Sequence, residues 1–296
     1  MSESLTNQNS TEDSKPLQER IYTPESKILH PLFLFREMWQ DLLASKELTW
    51  QLLIRDISAQ YRQSLLGIVW VLLTPLATAG IFILLKKQAI LNVEDTGMPY
   101  AVFALIGITL WQTFVESINA PLKALTAARP MLAKIKFPYE ALILAGAGQV
   151  LFNFGLKLLI IALVFLFFKI PLTIGLFAST FAIVMLILLG LFIGLLLTPL
   201  GALYTDISRG LVIATNLWFF ITPVIYPPLS TFPFNLLATV NPVSPVLLAA
   251  RDLMIKGTLQ NMVPFLIVSA ITLVGTIFVW ILYRLSLPIL IERMSA

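Results

Sequence analysis

Residues 53–70 read LIRDISAQYRQSLLGIVW, and within this short stretch a charged, amphipathic helix gives way to the start of a long apolar run. Counting 100° per residue from Trp50, the side chains of Leu53, Ile54, Ile57, Tyr61, Ser64 and Leu65 fall within about 60° of one direction. Arg55, Asp56, Gln60, Arg62 and Gln63 fall outside that sector. A helix with this division lies in the plane of a membrane interface. Gly67 supplies the bend from it into the first apolar span. On amphipathicity alone, such a helix does no more than anchor the chain.

The rest of the chain agrees with a membrane setting. Of its 296 residues, 58% are hydrophobic and 12% charged, whereas about a quarter of a soluble domain is charged. The net charge of +4 raises the question of nucleic acid, but the basic residues flank apolar runs instead of forming one patch interleaved with aromatics. With no cysteine, disulfide and thiolate chemistry are excluded. The first 28 residues are polar and lack an apolar core of the signal-peptide kind, which predicts a disordered cytoplasmic tail. Residues 29–66 are expected to form cytoplasmic and interfacial amphipathic helices, and residues 67–296 a transmembrane domain.

About 20 apolar residues cross a bilayer as a helix, so the spans can be counted. The first occupies residues 63–85, beginning near Gly67, and the second residues 98–119. The third covers residues 140–168 and is interrupted by Lys157; after Pro171 the fourth covers residues 174–197, with Gly190 and Gly194 in a spacing that permits close helix contact. Residues 210–250 carry no charge, are too many for one span, and contain six prolines that forbid a continuous helix. They divide into a fifth span at 211–226 and an apolar hairpin at 227–259 that dips into the membrane or lies on it, shielded by protein or water. A sixth span, 262–283, leaves Arg284, Glu292 and Arg293 as a short tail. Six spans place both termini on one side, where the segments carry 14 Lys and Arg against five on the other, so that side is the cytoplasm.

No phosphate-cradling G-x-x-x-x-G-K-[ST] occurs, and AGAGQ at 145–149 lies inside an apolar helix as a packing surface. His30 is the only histidine, and no intramembrane carboxylate pair accompanies Glu116, so catalytic readings are weak and an externally powered transporter is favoured. Polar residues inside spans mark functional positions. Glu116 and Asn119 fall near the cytoplasmic end of the second span, and Asn153 and Lys157 towards the middle of the third. Lys157 is 17 residues from the start of its span, roughly 25 Å, which predicts a different depth from Glu116 and leaves it either in a pathway or snorkelling to the outer interface. The basic loop LKALTAARPMLAKIKFPYEAL, residues 122–142, reads as helical on both sides of Pro130, with Pro138 at the entry to the third span.

The stretch RDISAQYRQSLLGIVWVLLTPL, residues 55–76, resembles the entry to the membrane domain of bacterial ATP-binding-cassette (ABC) polysaccharide exporters, the O-antigen, capsule and teichoic-acid permeases. Arg55, Asp56, Tyr61, Arg62, Ser64, Leu66, Gly67, Trp70 and Pro75 carry the likeness. It extends through KIKFPYE, the Tyr204-Thr205-Asp206-Ile207 loop, FFITPVIYP at 219–227, and NPVSPV followed by Arg251. Two features depart from the pattern: Thr205 stands where an Arg is usual, and ALTAARPM lacks the Asn and basic residue common early in that loop.

The resemblance implies an all-α membrane protein with six transmembrane helices, an N-terminal amphipathic interfacial helix, a cytoplasmic coupling helix within residues 120–139 and a re-entrant extracytoplasmic hairpin. It implies a homodimer in the bacterial cytoplasmic membrane, bound to two separate ATPase subunits that carry ATP and Mg, with no cofactor on this chain. Arg129, Lys134, Lys136, Phe137, Pro138 and Asp206 would couple to the ATPase. Pro223, Pro227, Asn241, Pro242 and Arg251 would build the hairpin. The substrate would be a lipid-linked polysaccharide or polyol-phosphate polymer. Trp111, Phe114, Trp218, Phe219, Phe220 and Tyr226, with Glu116, Asn153 and Lys157, suit its path; the aromatics suit a lipid-facing belt equally well. The other readings are an ABC exporter of another lipid or drug, and an ion-coupled secondary transporter, for which several intramembrane acids and an internal repeat would be expected.

Overall fold

A computed structural model describes residues 31–62, 64–91, 93, 96–132, 138–228 and 234–295, and all regular structure among them is helical. The chain divides into two compact units, Met1–Trp39 and Gln40–Ala296, the first described only from Pro31. The first five helices are α1 (Pro31–Ala44), α2 (Lys46–Arg62), α3 (Val69–Lys87), α4 (Tyr100–Leu132) and α5 (Glu140–Phe167). There follow α6 (Gly175–Leu203), α7 (Thr205–Ile221), α8 (Phe234–Val240), α9 (Val243–Ile255) and α10 (Met262–Ser295). Five of these, α3, α4, α5, α6 and α10, are long and apolar enough to cross a membrane. The expected fifth span corresponds to α7, whose 17 residues reach about 25 Å, short of a full crossing.

The chain bends at Gly67, between α2 and α3. The α2 helix stops at Arg62, Gly67 takes φ +48, where a side chain would be strained, and α3 begins at Val69. The Ser64 hydroxyl accepts the Gly67 N–H at 3.0 Å and holds the turn. Instead of facing solvent on its whole polar side, α2 packs along α5: Leu52 is buried, and Leu53 fits over Gly148. AGAGQ is thus a packing surface, since Gly146 meets the Ala120 carbonyl just as Gly148 meets Leu53.

The second span does not end at Asn119. The α4 helix runs unbroken through Pro121 and Pro130 to Leu132, so residues 123–132 are its continuation and not a separate coupling helix. Proline removes one backbone bond, but packing outweighs that loss here. Ala120, Pro121 and Leu122 are buried, with Gly146 of α5 and Gly201 of α6 closing around them. Lys134, Lys136 and Phe137, like the tail at 1–28, lie outside the described residues.

The α4 helix is the most enclosed of the five long helices, and its main partner is α6. A methyl at Gly190 would fall 2.5 Å from Ser117 Cβ and 2.8 Å from the Phe114 carbonyl, and one at Gly194 would strike the Ile118 carbonyl. Glycine at both positions is what lets the two backbones touch. Beyond α7 the chain turns at Pro223, and α9 packs back against α6, α4 and α10 until Gly257 rests on Gly175. At the opposite end, Arg284 of α10 binds Asp41 at 2.6 Å and the buried Glu140 at 2.5 Å, tying α10 to the start of α5.

Candidate functional site

Three elements enclose a cavity of about 510 Å³ that opens to one side of the bundle. From α3 come Thr74, Thr78 and Phe82; from α4, Trp111, Gln112 and Glu116; from α7, Thr215, Asn216, Phe219 and Phe220. The polar members recur at helical spacing, Thr74 with Thr78 and Gln112 with Glu116, so each pair lines one face of its helix. Both threonine hydroxyls donate to carbonyls of their own helix, at 2.8 and 2.9 Å, which leaves their lone pairs towards the cavity.

Behind these residues stands an aromatic wall. Trp111 lies 5.4 Å from Phe114 and 6.0 Å from Phe219 between ring centroids, and Phe219 lies 5.2 Å from Phe220. Edge-on contacts dominate, the geometry preferred by ring quadrupoles. The expected aromatics therefore gather in one place, but they do different work. Trp111, Phe219 and Phe220 reach the cavity, whereas Phe114 is fully buried and supports Trp111 and Trp218 from behind. Trp218 donates to Asn241 at 3.0 Å, and Asn241 donates to the Thr222 hydroxyl at 2.8 Å. Tyr226 turns its hydroxyl onto the Phe220 carbonyl at 2.7 Å.

One end of the cavity is charged. The Lys157 ammonium, 1% exposed, binds Glu116 at 2.6 Å, while the Glu116 side chain is 31% exposed on the cavity side. The expected difference in depth is thus wrong, and Lys157 does not snorkel outward. The two are level because α4 runs on to Leu132: Glu116 lies 16 positions before Leu132, and Lys157 lies 17 positions after Glu140, in antiparallel helices. Asn153 approaches the same carboxylate at 3.4 Å and accepts a hydrogen bond from Tyr61 at 3.0 Å. Burial, and then the Glu116 carboxylate, push the Tyr61 hydroxyl above the ordinary tyrosine range, so it stays protonated as the donor. Through this chain of contacts α2 reaches the cavity floor.

The remaining expected residues fall into separate groups. Arg55 pairs with its neighbour Asp56 at 2.7 Å and also reaches Met131 Sδ at 3.4 Å, so α2 lies beside the α4 extension. Arg62, Trp70 and Arg129 are exposed, Pro138 is half-buried, and Asp206 is exposed with Arg209 at 3.9 Å. Arg251 is fully buried: its guanidinium donates to the carbonyls of Val224 and Pro223 at 3.0 and 3.1 Å and stacks 3.9 Å over Phe103. It clamps the turn after α7 together with Asn241; Pro223 is buried, Pro227 half-buried and Pro242 exposed. Sequence reasoning missed Gln112, Asn216, Thr74 and Thr78, although the i, i+4 polar pairs within apolar spans were a readable signal.

No protein-family model matches the chain. Among curated proteins it is similar to the O-antigen export system permease protein RfbA of Myxococcus xanthus, 27% identical over 248 residues, which covers 81% of this chain and 91% of that protein. Two proteins of the same name from Klebsiella pneumoniae are each 24% identical over 208 residues, 70% of this chain and 79% of theirs. The resemblance read from residues 55–76 therefore extends over most of the sequence, and the relatives are permeases of O-antigen export systems.

Proposed function

We propose that this chain, related along most of its length to O-antigen export permeases, is the transmembrane subunit of an ABC exporter that moves a lipid-linked polysaccharide out across the cytoplasmic membrane. The observation that carries the proposal is the cavity between α3, α4 and α7. It joins aromatic faces, on which the CH-rich faces of sugars slide, with hydrogen-bonding groups in otherwise apolar helices. Gln112, Glu116 and Asn216 opening onto lipid would be costly, so the cavity faces water or another protein surface. A second copy of the chain, set against α3 and α7, completes the passage in this reading.

The finer arrangement follows the same logic. The α7 helix continued by the turn at 222–226 serves as the fifth span, and α8 and α9 form a re-entrant hairpin on the extracytoplasmic side. Asn241 lies beside Thr222 and Trp218 instead of beyond them, and Arg251 lies beside Gly107 within α4, which supports that placement. Both termini lie in the cytoplasm, as the basic residues require. The α4 extension with Arg129, the residues Lys134, Lys136, Phe137 and Pro138, and the exposed Asp206 meet a pair of ATPase subunits, which bind ATP and Mg and perform the hydrolysis. Co-purification of the membrane-embedded chain with a nucleotide-binding subunit, and polymer export dependent on ATP hydrolysis by that subunit, are the expected results. Export under an ion gradient alone, with no such subunit bound, would refute the proposal.

A further inference from the structure

The cavity's chemistry is lopsided. Among its described lining residues Glu116 is the one ionisable group, and the cation that balances it, Lys157, sits behind it and out of reach at 1% exposure. The threonine hydroxyls spend their protons on their own helix and show acceptors outward. Gln112 and Asn216 make no hydrogen bond among the described residues, so their amides are available to a guest. The cavity therefore offers acceptors from the two threonines, both donors and acceptors from the two amides, and one formal charge at its surface, the Glu116 carboxylate.

From this we infer that Glu116 is a specificity-determining residue that selects an uncharged, hydroxyl-rich polymer and disfavours uronate- or phosphate-bearing ones. The inference rests on reading the cavity as the export path. Sugar hydroxyls are donors and can bond Glu116, Thr74 and Thr78 directly. An anionic sugar passing the floor meets a like charge in a setting that screens less than water. With the ammonium behind the carboxylate offsetting part of the repulsion, the net penalty is roughly tenfold in affinity per anionic group at that point. A second copy related by twofold symmetry brings no relief, because its matching surface carries the same carboxylate and the same hidden lysine. Lys157 acts here as a positioning residue: it holds the carboxylate against the cavity wall without touching the guest.

The test uses the full chain in lipid nanodiscs and three probes of equal length: a neutral dextran oligosaccharide, an oligogalacturonate and a glycerol-phosphate oligomer. Binding is read by quenching of tryptophan fluorescence, since Trp111 faces the cavity. The wild-type chain should bind dextran at least about tenfold more tightly than either anion. Glu116→Gln leaves the Lys157 ammonium without its counter-charge and should abolish or reverse the preference, by improving the anions. The double variant E116Q/K157Q removes both charges, guards against misfolding of the single variant, and should bring the three affinities within about threefold of one another. Equal affinities in the wild-type chain, unchanged discrimination in both variants, or no binding of any oligomer would overturn the inference. Loss of ATPase co-purification is a separate result and bears only on the exporter proposal.

Discussion

The Glu116–Lys157 pair is asymmetric, and that asymmetry predicts unequal costs for breaking it from either side. Lys157 is 1% exposed and Glu116 31%, with 2.6 Å between them. Glu116→Gln leaves an ammonium enclosed with only a neutral acceptor, for which roughly 2–4 kcal/mol of destabilisation is expected. Lys157→Met leaves a carboxylate that keeps Asn153 at 3.4 Å and access to the cavity, so the loss should be nearer 1–2 kcal/mol. The double variant Glu116→Gln with Lys157→Met strands no charge and should cost about 1–2 kcal/mol, well below the sum of the single changes. The resulting coupling of roughly 3 kcal/mol is measurable by a double-mutant cycle, with unfolding in mixed micelles followed by intrinsic fluorescence. Additive effects, or a Lys157→Met loss as large as that of Glu116→Gln, would refute both the pairing and the argument from burial.

Three further outcomes follow from the packing and the hydrogen bonds. Gly194→Ala should destabilise the chain by about 1–3 kcal/mol, because the methyl meets the Ile118 carbonyl, whereas Gly155→Ala, with open space at its Cβ, should be neutral or slightly stabilising in the same thermal assay. Arg251→Met frees the carbonyls of Pro223 and Val224, so a loss of roughly 2–5 kcal/mol and faster proteolysis between Pro223 and Asn241 are expected; an unchanged cleavage rate would count against the clamp. Tyr61→Phe removes the hydrogen bond to Asn153 and should cost about 1 kcal/mol without loss of folded protein, as judged by gel filtration and thermal midpoint.

The long helices were legible because bilayer-length apolar runs are local signals, and Gly67 was legible because a bend between an interfacial helix and a span requires a flexible backbone there. The length of α4 was not. The apolar run closes at Asn119, ahead of the basic stretch that opens with Lys123, and what carries the helix on through Pro121 is burial against Gly146 and Gly201, residues distant in sequence. With the second span closed at Asn119, Glu116 and Lys157 fall at different depths; the full length of α4 brings them together as an ion pair. The Gly190–Gly194 spacing announced a close helix contact but could not name α4 as the partner, since any helix with a small-residue face would satisfy it.

Trp111, Phe114, Trp218, Phe219 and Phe220 lie together in the structure, and their division between lining and support depends on rotation about α4 and α7, which an apolar helix conceals because every side is hydrophobic. Trp111 and Phe114 are three positions apart and so neighbours on α4, but one faces the cavity and the other is sealed beneath it. The rotation is fixed by the few polar residues. Gln112 and Glu116 must share a side with each other, and Lys157, level with Glu116 once α4 is given its full length, draws that side towards the α5 contact. In a helix with little amphipathic contrast, it is the sparse polar positions that orient the apolar ones. Tyr61 belongs to the apolar sector of α2 and yet carries a hydroxyl, and that hydroxyl joins α2 through Asn153 to the carboxylate at the cavity floor.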